Sequence, residues 1–70
     1  MELNNNRIRI GQRLAQLRQE KGMTTRQLAE AAGLHQSNIT KIENGKYSVG
    51  LDVLSKICTA LDAQLEITKG

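Results

Sequence analysis

Proline, phenylalanine and tryptophan are absent from these 70 residues, and cysteine, histidine and tyrosine occur once each. A lone cysteine, Cys58, excludes an internal disulfide, and a lone His35 leaves no ligand set for a zinc site. With no phosphate-loop glycine spacing and with scattered carboxylates, no catalytic constellation is visible either. The expectation is a non-enzyme without metal or cofactor. No apolar run approaches the ~20 residues of a membrane span, and the opening "MELNNNRIRI" lacks an uninterrupted signal core. These absences predict a soluble, cytoplasmic protein without a membrane partner. A single domain of this length sits near the lower limit for one self-sufficient core, so very regular helices and a second copy of the chain are the supports that remain.

What is present favours helices packed through aliphatic side chains: abundant Leu, Ile, Ala, Gln, Lys and Arg. The net charge is +3 and the isoelectric point about 9.4, but the charge is uneven. Through Arg26 there are six basic residues against Glu2 and Glu20, whereas the remainder carries four basic against five acidic residues. A basic segment of this kind suits a polyanion partner, although solvated basic helix faces are also common.

Apolar periodicity divides the chain into four helices. Ile10, Leu14 and Leu17 form one stripe of a first helix expected from near Asn6 to the "EKG" before Met23. "TTRQLAEAAG" opens a second, short helix, with Thr24 and Gln27 at the spacing of a capping box and Leu28, Ala29 and Ala32 as its apolar face. Gly33 stops it. A third helix is expected over Gln36 to Glu43, with His35 at its N-cap, Ile39 and Ile42 facing inward, and Gln36, Ser37, Thr40 and Lys41 facing outward. The "NGK" at 44–46 closes that helix. Leu51, Leu54, Ile57, Cys58 and Leu61 mark a fourth, capped by Gly50 or Ser48. After Asp62 the rhythm changes: Ala63, Leu65 and Ile67 alternate with Gln64, Glu66 and Thr68 at the period of a half-buried strand. A lone strand has no ladder partner in its own chain, so pairing with a second copy across a two-fold axis is expected.

Two short helices joined by a tight turn containing glycine, the second polar on its outer face, describe a helix-turn-helix. In that motif the second helix enters the major groove of double-stranded DNA. The residue types suit a groove-reading helix, since Gln36 offers a donor and an acceptor to adenine, Lys41 donates to guanine, and Ser37 serves either.

Residues 10–61 resemble the Cro/C1-type, or XRE-like, helix-turn-helix family of phage-repressor-like regulators. The resemblance is carried by "LR…KG" in the first helix, "LA…AGL" in the first half of the motif and "I…IENGK" at the end of the third helix. It implies that Ala29 is the small residue where the two motif helices touch and that Leu28, Ala32, Leu34, Ile39 and Ile42 are buried. It also implies base contacts at Gln36, Ser37 and Lys41, and backbone-phosphate contacts at or beside Thr25, Arg26, Asn44 and Lys46. Arg18 and Glu43 match a partly buried salt bridge of related repressors. Thr25 stands where family members often carry glutamine, which predicts a phosphate contact through a hydroxyl and the loss of an amide contact to the recognition helix. His35 replaces the usual Ser or Thr cap. Tyr47 is left open between stacking on a sugar and covering the exit of the third helix.

The expected fold is therefore an all-α, lambda-repressor-like domain of four to five helices with a short C-terminal β-strand pairing across a dimer. Residues 1–70 form one domain: an arm at 1–6, a helical core at 7–61 with the helix-turn-helix at 25–44, and the strand at 63–68. The function read from this is a sequence-specific DNA-binding transcriptional regulator, a repressor acting as a homodimer on a palindromic operator. A second reading stays open because the "AQLEITKG" ending resembles small antitoxin-type members: an interaction module that neutralises a toxin-like protein partner and represses its own operon.

Overall fold

A computed structural model describes residues 3–69, and all regular structure among them is helical. The elements are α1 (Leu3–Glu20), α2 (Thr25–Ala32), α3 (Gln36–Glu43) and α4 (Leu51–Ala60). Helix α1 begins three residues earlier than its apolar stripe predicts, so residues 3–6 of the expected arm are helical; residues 1 and 2 lie outside the described part.

The termini of the helices are written locally. At the start of α2, the Thr24 hydroxyl accepts from the Gln27 amide at 3.0 Å while the Gln27 side chain accepts from the Thr24 amide at 2.9 Å, so two orphan donors are satisfied reciprocally. All four helices end alike. A residue with left-handed backbone follows each one, Gly22, Gly33, Gly45 and Asp62, with φ of 73°, 70°, 72° and 54°. The next amide then reaches back to a carbonyl of the last turn: Met23 to Arg18, Leu34 to Ala29, Lys46 to Lys41 and Ala63 to Cys58, at 2.8–3.0 Å. Met23, Leu34 and Ala63 also pack against the core, the apolar contact that accompanies this ending.

The core is small and aliphatic: Leu14, Leu28, Ala29, Ala32, Ile39, Ile42, Leu54, Ile57, Cys58 and Leu61. Leu28, Ile39 and Ile57, from three different helices, are its most enclosed members. Fully burying one such side chain is worth about 1.5–3 kcal/mol, and the periodic spacing of these residues is therefore what folds the chain. Gly11 of α1 lets that helix lie directly on the end of α3: a Cβ there would collide with the Ile42 carbonyl oxygen and stand 2.8 Å from that of Glu43.

Two expectations are corrected. Residues 63–69 form no strand. Alternation makes a segment compatible with a ladder, but the ladder itself needs a partner, and no other described segment is extended beside it. Instead the left-handed turn at Asp62 sends the tail along a groove between α1 and α4, where Ala63 and Leu65 join Leu14, Leu17 and Leu54 in the lining. The second correction concerns the stripes of α1 and α4. Their first members, Ile10 and Leu51, are 44 % and 73 % exposed, because both line the open groove between α1, α4 and the tail, which the tail covers only in part.

Candidate nucleic-acid interface

Helix α3 has eight residues and turns one edge inward through Ile39 and Ile42, which are 1 % and 3 % exposed. Its opposite edge carries Gln36, Ser37, Thr40 and Lys41, all exposed, at positions that share one helical face. The buried edge fixes the rotation of the helix about its own axis, and that rotation decides which side chains face outward. All three residues expected to touch bases therefore stand together on one open, acid-free face.

The first of these is also held in orientation. Gln36 Nε2 donates to Thr25 Oγ1 at 2.9 Å, across the turn between the two motif helices. The hydroxyl keeps its own proton for a further acceptor, and the Gln36 amide keeps one N–H and its carbonyl oxygen. Thr25 thus retains the tie to the recognition helix that its departure from glutamine was expected to lose. Thr40 Oγ1 donates to the Gln36 carbonyl at 3.2 Å, a bond within α3 itself. His35 occupies the N-cap in extended conformation but makes no side-chain cap bond.

Residues expected at phosphates flank this face on both sides. Thr25 and Arg26 are the first two residues of α2, where partial positive charge from unpaired amides favours an anion. Arg26 stands 3.7 Å from Glu30 one turn on, both well exposed, so this ion pair is weak and yields readily. Asn44 and Lys46 are exposed in the turn after α3, on either side of Gly45. A Cβ on Gly45 would meet Ile8 Cγ1 at 2.8 Å and Ile8 Cα at 2.9 Å, so the turn rests on the backbone of α1. Tyr47 lines a shallow groove with Asn6, Arg7, Gly11 and Ile42 and stays 43 % exposed.

Arg18 and Glu43 meet in a two-pronged ion pair. Arg18 Nε donates to Glu43 Oε2 at 2.7 Å and Nη2 to Oε1 at 3.1 Å, while Nη1 donates to the Met23 carbonyl at 2.7 Å. The side chains are 13 % and 10 % exposed, which protects the pair from solvent screening. It ties the last turn of α1 to the last residue of α3. It also neutralises the acidic residue nearest the outer face.

Other titrating groups are structural. Burial pushes the Cys58 thiol above its ordinary range, keeping it protonated and inert as an apolar filler. Hydrogen bonding from Lys21, with the attraction of its charge, holds the Asp62 carboxyl below its usual range and links the end of α1 to the turn after α4. Among the described residues no cluster of His, Cys, Asp or Glu could hold a metal ion, and no helix is long and apolar enough to cross a membrane.

The family model of the helix-turn-helix domain matches residues 9–67. This chain belongs to that family. Its relatives support the Cro/C1 type in particular. The helix-turn-helix chain is 36 % identical over 61 residues to the immunity repressor protein of Bacillus phage phi105, covering 87 % of itself and 42 % of the repressor. It is 40 % identical over 62 residues to control protein C.BamHI of Bacillus amyloliquefaciens, covering 87 % of itself and 76 % of that protein. The crystal structure of the restriction-modification controller protein C.AhdI from Aeromonas hydrophila superposes with a TM-score of 0.84 at 37 % identity, over 86 % of this chain and 91 % of that one. The chain thus spans less than half of the phage repressor and most of the two controllers.

Proposed function

We propose that this chain is a DNA-binding transcriptional regulator that reads a palindromic operator as a homodimer and represses by covering a promoter, in the cytoplasm where that DNA lies. The observation that carries the reading is the open polar edge of α3, whose Gln36 is held by Thr25 while Ile39 and Ile42 anchor the opposite edge. Gln36, Ser37 and Lys41 are assigned to base edges, and Thr25, Arg26, Asn44 and Lys46 to the phosphates that set the docking. The names of the relatives, repressor and controller, agree with this role.

The homodimer is supported by a second surface. Ile10, Leu51, Leu65 and Ile67 are 44 %, 73 %, 48 % and 99 % exposed, and all four line the groove between α1, α4 and the tail. An apolar patch of this kind on a small soluble domain marks an interface, and Arg13 and Glu66 on the same groove give it charges of both signs, as self-pairing requires. The two recognition helices then present themselves about 34 Å apart, to half-sites about 10 base pairs apart.

Selection of bound duplexes from a random pool tests the whole reading. An enriched palindrome is expected, and Gln36→Ala or Lys41→Ala should each cost about 1–3 kcal/mol on it and relax choice at one base position. Equal losses on selected and random DNA would refute base reading. A chain that sediments as a monomer on its selected duplex would refute the dimer.

A further inference from the structure

We propose that the first turns of α1 extend the DNA-contacting surface, with Arg7 holding a backbone phosphate next to those held at Asn44–Lys46. The inference rests on the DNA-binding reading above and adds a residue and an element to it. Three observations meet at this place. The turn after α3 sits on α1 at Ile8, since a Cβ on Gly45 would come within 3.1 Å of the Ile8 side chain, Cα and backbone nitrogen alike. Asn6 and Arg7 line one shallow groove together with Tyr47 and Ser48, so their side chains border the same turn that carries Asn44 and Lys46. Finally, the acidic residue closest to that turn in sequence, Glu43, is engaged by Arg18.

The chemistry of the cluster is that of a backbone site: a guanidinium, an ammonium, two amides, a phenol and a hydroxyl, with nothing arranged to read a base edge. Arg7 has an interaction within the chain, and a guanidinium with five N–H donors can keep it and still hold a phosphate. Arg9, two residues on, points some 200° away around the helix. The neighbouring arginine therefore serves as a control of equal charge.

The test is the salt dependence of binding, measured with the full chain on its selected duplex and on a scrambled duplex. Losing one phosphate contact lowers the slope of log K against log salt by about 0.9 per protomer. Arg7→Gln is expected to lose that much on both duplexes while selecting the same sequence; Arg7→Lys is expected to keep the slope, and so is Arg9→Gln. An unchanged slope in Arg7→Gln, or an equal loss in Arg9→Gln, overturns the proposal. A reading from the DNA side covers the case in which Arg7→Gln does not fold. Neutral methylphosphonate linkages are walked along the operator against the wild type, Lys46→Gln and Asn44→Ala. With Thr25→Val and Arg26→Gln walked in the same way to mark the phosphates held at the start of α2, one further phosphate per half-site, adjacent to those desensitised in Lys46→Gln and Asn44→Ala, should stay sensitive in all four variants, and its absence also overturns the proposal. If the wild type itself neither selects a sequence nor responds to salt, the regulator reading fails, a result distinct from either outcome at Arg7.

Discussion

Replacing Gly11 by alanine isolates the contact that seats the recognition helix. In an exposed helix interior this change stabilises by about 0.5–1 kcal/mol, because alanine loses less backbone entropy and is the better helix former. Gly11 is buried at the crossing of α1 and α3, where the new methyl would overlap the Ile42 carbonyl oxygen and lie 2.8 Å from that of Glu43. Ordinary contact begins near 3.4 Å, so the helices have to separate by about 1 Å, and both obstacles are backbone atoms that cannot rotate aside. Overpacking of this kind costs about 1–3 kcal/mol, which equals or exceeds the propensity gain and leaves a net loss of up to about 2.5 kcal/mol. For a domain of this size that is a fall in Tm of up to roughly 20 °C, read by circular dichroism. Gln12→Ala, at the adjacent exposed position, should leave stability within about 0.5 kcal/mol of wild type. A Gly11→Ala protein that melts higher than wild type would refute the account of this crossing.

Other positions give independent checks. Thr25→Val preserves the shape of the side chain but removes the acceptor for Gln36, and it should weaken operator binding by about 0.5–1.5 kcal/mol with little change in Tm; a loss confined to the selected duplex and absent on scrambled DNA would locate the effect in that tie, whereas an equal loss on both would locate it at the phosphate. Arg18→Met leaves Glu43 without its partner and should lower stability by about 3 kcal/mol in urea denaturation, whereas Arg18→Met combined with Glu43→Leu should cost less than the two singles added together. Because Lys21 lowers the Asp62 pKa, the stability it adds is present above the ordinary carboxylate range and lost as pH falls through the lowered value; Asp62→Asn should flatten the acid side of the Tm–pH curve by lowering its neutral side, with the low-pH end left in place. Leu51→Glu should abolish dimerisation in sedimentation without lowering helix content, since Leu51 is 73 % exposed in the single chain.

The helices were legible because each one announces itself locally. The capping box at Thr24 and Gln27, the stops at Gly22, Gly33 and Gly45, and the apolar spacing of Leu28, Ile39, Ile57 and their neighbours require only near-neighbour reasoning, and all are found. Legibility ends where a second element decides the outcome. The stripe of Ile10, Leu14 and Leu17 is real, yet only Leu14 is buried, since burial depends on where α2, α3 and α4 stop. Residues 63–68 alternate correctly and form no strand, because the ladder needs a partner that periodicity cannot supply. The Thr25–Gln36 bond joins residues 11 apart through the angle of the turn, which residue types alone leave undetermined. Gly11 did carry a signal, a glycine in the middle of an otherwise strong helix, and such a residue asks for a close backbone approach.

The recognition helix owes little to its own sequence. Eight residues are fewer than the ~12–15 at which isolated helices become marginal, and α3 has no side-chain N-cap bond. Its order comes from outside: Ile39 and Ile42 in the core, Gly11 against its last carbonyls, Arg18 on Glu43 and Thr25 on Gln36. Most of these supports lie on the inward edge or at the ends, so Ser37 and Lys41 carry almost none of the fold. Exposed positions of that kind tolerate exchange within about ±0.5 kcal/mol. On the proposed assignment of base contacts, the arrangement separates the stability of the domain from its choice of DNA at these two residues, while at Gln36, tied to α2, a substitution would change both what is contacted and how firmly the contacting face is held.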